Sequence, residues 1–327
     1  MQTITFGRTD LNVSRLTMGC GAVGGLMTKG RPADQDNAVA WARDNGINFF
    51  DTAALYGNGA SEENLGRALA GNTDGIIVST KFWLTNDDLD DVTGAVERSL
   101  NASLKRLKLE SVDLLQLHNS VGLPDRFCSN DADQLLAEIQ PAFDKVKADG
   151  KIRYTGFTAN GVPGQLTRWV ESEVFDAAQI FYNLLVPSAG HKVPENYPAT
   201  DYRQLLDTSA KHGVGAIGVR VLAGGALSGS ESRNPLGMPV VDPIGSDTDY
   251  ATDVKLGLRF QPLIEAGYAE SLPELAMRYV ISNPQLPTTE IGIATLEELQ
   301  FAARAINKGP LSDEVLQSIQ GIQLSTS

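Results

Sequence analysis

Four residues of reactive type stand at or just beyond the ends of three short apolar runs. Asp51 closes Ile47-Asn48-Phe49-Phe50, Lys81 follows Ile76-Ile77-Val78-Ser79-Thr80, and His118 closes Val112-Asp113-Leu114-Leu115-Gln116-Leu117. Tyr56 lies a few residues beyond Asp51, ahead of the next helical stretch. Their types belong together chemically. A buried ammonium needs a counter-charge, which Asp51 can supply to Lys81. An ammonium beside a phenol favours phenolate and lowers the tyrosine pKa from about 10. Such a tyrosine protonates a developing alkoxide near neutral pH, and the imidazole of His118 orients the carbonyl oxygen or shares the proton. Taken singly, each residue has an ordinary alternative. Asp51 would cap a helix, His118 would be structural, Lys81 solvated and Tyr56 a packing residue. Their conjunction at consecutive strand ends is what points to catalysis.

The elements that must position them alternate. Candidate strands cover residues 16–20, 47–51, 76–80, 112–118, 152–158, 177–180, 215–219 and 289–293. Helical stretches lie at 34–45, 61–70, 89–107, 133–149, 205–212, 273–282 and 296–306. Within 89–107, Val92, Val96, Leu100, Leu104 and Leu107 recur at helical intervals. Alternating strand and helix implies parallel pairing through right-handed crossovers, and eight such units favour a closed (β/α)8 TIM barrel over an open sheet. The expectation is an α/β fold with the whole chain, 1–327, as a single barrel domain. Residues 3–6 and 13–15, separated by Gly7-Arg8-Thr9-Asp10, read as an N-terminal β-hairpin that plugs the barrel's lower mouth. Long loops follow the sixth strand (182–202) and the seventh (222–271). Both leave the C-terminal ends of strands, where barrel active sites lie.

Composition narrows the function classes. The chain has 327 residues, 42% hydrophobic and 20% charged, with a formal net charge of −13. That acidity argues against a nucleic-acid partner, which needs clustered Lys and Arg. Cys20 and Cys128 are the two cysteines, in no paired motif, so neither a disulfide framework nor a cysteine zinc site is expected. No metal site is expected. The start of the chain lacks an apolar leader and no apolar run approaches membrane-spanning length, so a cytoplasmic protein without a membrane partner is the expectation. The oligomeric state stays open.

The stretch Gly46-Ile47-Asn48-Phe49-Phe50-Asp51-Thr52-Ala53-Ala54-Leu55-Tyr56-Gly57 resembles the aldo-keto reductase signature around its aspartate and tyrosine. The resemblance continues through Ser61-Glu62-Glu63-Asn64-Leu65-Gly66-Arg67-Ala68-Leu69, Ser79-Thr80-Lys81, Ser99-Leu100-Asn101-Ala102-Ser103-Leu104-Lys105-Arg106-Leu107 and the strand ending at His118. It spans about residues 6–306. It implies NAD(P)-dependent hydride transfer between a nicotinamide and a small carbonyl or sugar substrate. Tyr56 would be the general acid/base, Lys81 and Asp51 its tuning pair, and His118 the orienting group. It also implies a coenzyme bound extended across the barrel mouth. Gly19-Cys20-Gly21-Ala22-Val23-Gly24 does not fit the dinucleotide fingerprint in its usual strand-turn-helix setting and reads as a tight turn, with the backbone of Gly21 and Ala22 lining the nicotinamide pocket.

By the same resemblance Thr158 and Gln179 hold the nicotinamide carboxamide, although Ala159 replaces the usual asparagine; Asn160 is the candidate to compensate. At the seventh strand the expected stacking tyrosine is absent, and the chain reads Val219-Arg220-Val221-Leu222. Arg220 is a candidate for a stacking guanidinium or a phosphate contact, with an ordinary ion pair as its alternative. Leu222 and Gly224 belong to the stretch that approaches the pyrophosphate through its backbone. After the last strand, Thr295 and Glu298 are the coenzyme candidates, and no basic residue stands there to pair with a 2′-phosphate. A carboxylate at Glu298 repels phosphate and accepts from a ribose diol, so the leaning is to NAD over NADP. Trp83 is the candidate substrate wall, together with Tyr56 and His118, and the loop residues His191 and Tyr197 are assigned to the same pocket. The substrate expectation is an aldehyde or ketone, an aldose included, interconverted with its alcohol or lactone. Two rivals stand beside it. One is a nucleotide-binding sensor or channel-associated barrel subunit with little turnover. The other is an aldolase barrel with Lys81 as nucleophile.

Overall fold

The computed structural model describes residues 1–124, 128, 131–195, 197–246 and 248–325. Two short antiparallel strands, β1 (Thr3–Thr5) and β2 (Asn12–Ser14), form a hairpin in the register Ile4↔Val13. Eight further strands follow: β3 (Leu16–Gly19), β4 (Phe49–Asp51), β5 (Ile77–Phe82), β6 (Val112–Leu117), β7 (Ile152–Thr158), β8 (Ala177–Phe181), β9 (Gly215–Val219) and β10 (Thr288–Gly292). They pair in sequence order, all parallel, and β10 closes on β3. The chain is a (β/α)8 barrel with an N-terminal hairpin.

Alternation along each strand divides the barrel's interior into layers. The lowest is apolar: Phe49, Ile77, Leu114, Ala177 and Ile217 meet Phe6, Leu11 and Val13 of the hairpin segment. The hairpin is therefore the floor of the barrel, as the sequence suggested. Phe6 is fully buried, its ring edge-on to Phe49 at 5.9 Å between centroids. Phe6→Ala should cost about 3–5 kcal/mol, the usual range for emptying a buried aromatic site. Urea unfolding checks this, and an unchanged midpoint would show that the floor bears no load.

Above that layer the interior turns polar. Register sets Gly19 beside Asp51, Asp51 beside Ser79, Lys81 beside Gln116, Gln116 beside Gly156, and Thr158 beside Gln179. A second, larger apolar cluster lies between the strands' outer faces and the surrounding helices.

Several elements depart from the sequence expectation. Helix Val92–Leu107 starts later than expected, because Asp91 caps it by accepting from the Gly94 amide at 2.9 Å and Leu89 belongs to a preceding 3-10 turn, Asn86–Asp90. Helix Pro163–Glu171 was not expected at all. Its Pro163-Gly164 start reads as a turn, yet proline at the first helical position costs no hydrogen bond. The stretch 222–271 is not a plain loop: it contains a 3-10 turn, Ala223–Ser228, and helices Tyr250–Leu258 and Gln261–Glu265. A final helix, Asp313–Leu324, packs after the last crossover. No helix among the described residues is long and apolar enough to cross a membrane.

Candidate active site

Lys81 and Asp51 form a fully buried ion pair at the upper ends of β5 and β4. The ammonium also donates to the Thr52 carbonyl at 3.0 Å and to the Tyr56 hydroxyl at 3.2 Å. It sits 4.7 Å from the centroid of the Tyr56 ring. Asp51 is held from its other side by Gln116, whose amide donates to Asp51 Oδ1 at 3.1 Å and to Ser79 Oγ at 2.7 Å. Burial works against the Lys81 charge, but Asp51 outweighs it and the lysine pKa is raised. The free amine that a Schiff-base aldolase requires is thereby suppressed.

Tyr56 departs from expectation in one respect. Burial pushes its hydroxyl up to about 12, with Lys81 opposing and the carboxyls of Asp51 and Glu290 reinforcing the rise. The ammonium is in place, but it does not bring the phenol below its ordinary value. What it offers is a neighbouring cation for the phenolate once a proton has left.

His118 follows β6 and its backbone amide donates to the Phe82 carbonyl at 3.0 Å. Its ring meets Tyr56 edge-on at 5.8 Å, and Trp83 lies tilted over it at 4.5 Å. Tyr56, Trp83 and His118 each keep a partly exposed face. The four candidate catalytic residues and the candidate substrate wall thus converge on one rim.

The coenzyme candidates distribute around the same mouth. A side chain on Gly21 would meet the Tyr56 ring at 3.4 Å, so Gly21 lies directly against it, and Ala22 follows on the same turn. Thr158 and Gln179 are buried neighbours, with the threonine hydroxyl donating to Gln179 Oε1 at 3.4 Å. Asn160 is exposed and its amide donates to Ser120 Oγ at 3.0 Å, on the β6 side of the rim. Arg220 lies over the Phe181 ring at 5.9 Å. Leu222 precedes a turn in which Gly224 and Gly225 adopt φ of 67° and 110°, a left-handed backbone suited to anion-binding amides. Arg233 donates to the Gly224 carbonyl at 2.6 Å and stacks on Tyr250, tying the segment down. The same segment reaches across to the loop after β3, where a Cβ on Gly25 would stand 1.9 Å from the Leu236 carbonyl oxygen. Thr295 caps helix Leu296–Asn307 by accepting from the Glu298 amide at 3.3 Å, and the Glu298 carboxylate accepts from the Ala294 amide at 2.7 Å.

Two assignments are corrected. His191 accepts or donates with the Tyr182 hydroxyl at 2.9 Å and faces a separate cavity of about 430 Å³ that Tyr279 and Gln323 also line. Tyr197 donates to the Leu185 carbonyl at 2.9 Å. Both shape the loop after β8, because their polar atoms are used within it. Two interior residues escaped the sequence reading. Gln116 holds Asp51, and Glu290 accepts from Gln179 Nε2 at 2.8 Å. The available signal was a lone charge inside Thr288-Thr289-Glu290-Ile291-Gly292, at a position whose alternation faces the barrel's centre.

No group of three His, Cys, Asp or Glu suited to a metal occurs among the described residues. Residues 15–323 match the aldo/keto reductase family model. The chain is 26% identical to L-galactose dehydrogenase of Arabidopsis thaliana over 97% of its own length and 92% of that protein's. It is 30% identical to D-threo-aldose 1-dehydrogenase of a Pseudomonas species over 68% of its length and 70% of that protein's. An aldo-keto reductase from Bacillus halodurans, solved in its holo form, superposes with a TM-score of 0.71 at 24% identity, covering 98% of this chain and 96% of that one. With a family match across nearly all of the barrel, the chain belongs to the aldo/keto reductase family.

Proposed function

We propose that this chain is a nicotinamide-coenzyme-dependent oxidoreductase that interconverts an aldehyde, ketone or aldose with its alcohol or lactone. The observation that carries the reading is the Lys81 ammonium, bonded at once to the Asp51 carboxylate and to the Tyr56 hydroxyl. In reduction, Tyr56 gives its phenolic proton to the oxygen of the former carbonyl, and Lys81 stabilises the phenolate left behind. In oxidation the phenolate takes the hydroxyl proton back. His118 holds the reacting oxygen, and Trp83, tilted over the His118 ring, walls the pocket. The bound nicotinamide supplies or accepts the hydride. Thr158 and Gln179 fit its carboxamide, being a buried hydroxyl and amide side by side. The turn at Gly224 and Gly225 fits the pyrophosphate. An aldose is favoured within the substrate class because the relatives named above act on galactose and on threo-aldoses. A panel of sugars and aldehydes followed at the nicotinamide absorbance tests the reading; coenzyme binding with no turnover on any of them would favour the sensor alternative.

The coenzyme preference we infer is NAD. The Glu298 carboxylate is pinned at the N-terminus of helix Leu296–Asn307, where it accepts from the Ala294 amide. A helix N-terminus attracts anions, and here a side-chain carboxylate already serves that end. A 2′-phosphate brought there would meet like charge. Glu298→Arg should raise kcat/KM for the phosphorylated coenzyme about tenfold or more relative to the unphosphorylated one, the scale of one charge-assisted hydrogen bond. A wild-type enzyme that strongly prefers NADP would overturn the preference.

A further inference from the structure

The barrel's polar layer carries an acidic side chain, Glu290, that the proposed reaction does not use. Glu290 lies midway along β10, on the polar layer that also carries Asp51 and Lys81. Its Oε2 accepts from Gln179 Nε2 at 2.8 Å. Its Oε1 and Cγ lie over Gly19 of the adjoining β3, where a Cβ would stand 2.9 and 3.0 Å from them. Glycine at that place leaves the room the carboxyl occupies.

An amide side chain is nearly symmetric in shape, and only its partners decide which end points where. Gln179 has a carboxyl on one side and a hydroxyl on the other. The carboxyl of Glu290 can serve the Nε2 end at any protonation state, because one of its oxygens always accepts. That turns Gln179 Oε1 towards Thr158, with its remaining acceptor capacity directed to the mouth. We propose that Glu290 is a positioning residue of the coenzyme site, fixing Gln179 so that an acceptor, not a donor, meets the nicotinamide carboxamide. The inference rests on the nicotinamide reading above.

A second consequence follows from the charge count. The groups that face Glu290 are Asp51 on β4, Lys81 on β5, Tyr56 on the loop after β4, Cys20 at the end of β3 and Arg220 after β9. Burial holds the Cys20 thiol protonated. Lys81 is already committed to Asp51. Burial, then the Asp51 carboxylate, push Glu290 up to about 8, against the pull of Lys81 and Arg220. The neutral acid therefore persists to higher pH than for an ordinary glutamate. A carboxyl whose pKa is raised on folding contributes stability that is complete below its unfolded value of about 4.3 and is lost as pH rises through the folded value.

The experiment uses the full-length protein, as wild type, Glu290→Gln and Glu290→Leu. Reduced coenzyme is titrated by fluorescence at pH 7, and the melting temperature of the coenzyme-free protein is followed from about pH 5 to about pH 9. Glutamine keeps an acceptor for Gln179 and removes the titration; leucine removes both. We expect Glu290→Gln to bind within about twofold of wild type and Glu290→Leu about tenfold more weakly, since a buried amide donor loses its partner. The melting temperature of Glu290→Gln should gain on wild type as pH rises towards 8. If Glu290→Leu does not fold, Gly19→Ala is the second variant, because its methyl group displaces the carboxyl and should weaken binding similarly. Wild-type binding with Glu290→Leu unchanged overturns the inference alone, as does Glu290→Gln weakened as far as Glu290→Leu; parallel melting curves across pH would overturn the raised Glu290 pKa and leave the positioning role standing. Absence of coenzyme binding by the wild type removes the nicotinamide reading and this inference with it.

Discussion

Tyr56→Phe should lower kcat for carbonyl reduction by about a hundredfold to ten-thousandfold, the range that a positioned proton donor contributes, with the coenzyme dissociation constant close to wild type. The phenylalanine keeps the ring that meets His118 and Gly21 and loses only the hydroxyl that accepts from Lys81. Proton transfer and coenzyme binding use different groups, so the two measurements separate. The pH dependence has a definite sign. Burial sets the Tyr56 hydroxyl at about 12, so the phenol that reduction consumes persists through neutral and moderately alkaline pH. The phenolate that oxidation requires is scarce there, and its fraction rises roughly tenfold per pH unit. Oxidation should accordingly climb with pH while reduction stays level, and Tyr56→Phe should flatten the climb. Turnover at the wild-type rate in Tyr56→Phe would remove this hydroxyl as the acid.

Which parts of this site were legible in the sequence follows from how each residue is positioned. Asp51, Lys81 and His118 end apolar runs, so a linear pattern reveals both their strand and their rim. Tyr56 lies close enough to Asp51 that the same turn carries it. The hairpin and the eight strands were legible for the same reason, with strand ends shifting by one or two residues where hydrogen bonding stops before apolarity does. Helix Pro163–Glu171 was obscured because proline and glycine are breakers inside a helix but not at its first positions. Glu290 and Gln116 were harder. Each acquires its meaning from a partner on another strand, Gln179 for the first and Asp51 for the second, and that juxtaposition exists only when the barrel closes. His191 erred in the opposite direction. A polar residue in an active-site loop suggests the pocket, yet the loop turns its ring onto Tyr182.

Lys81→Met should cost about 3–5 kcal/mol of stability as well as nearly all activity, because it leaves a buried carboxylate without its cation. Asp51 would keep the Gln116 amide at 3.1 Å but no cation of its own, and the Thr52 carbonyl would lose a donor at 3.0 Å. Chemical unfolding reads the first loss and a carbonyl-reduction assay the second. One variant cannot tell an unstable enzyme from a disarmed one, so the informative comparison is the double substitution Asp51→Asn with Lys81→Met. Removing both charges lifts the penalty of the orphaned carboxylate, since an uncharged buried pair of similar volume is often as stable as the ion pair it replaces. Most of the lost stability should return. Activity should not, because the ammonium that holds the phenolate left by proton donation is gone from beside Tyr56. A double variant as unstable as Lys81→Met would mean that the lysine stabilises the barrel through its packing instead of its charge. A double variant that regained turnover would mean that the phenol needs no cation, and the mechanism would have to place the proton elsewhere.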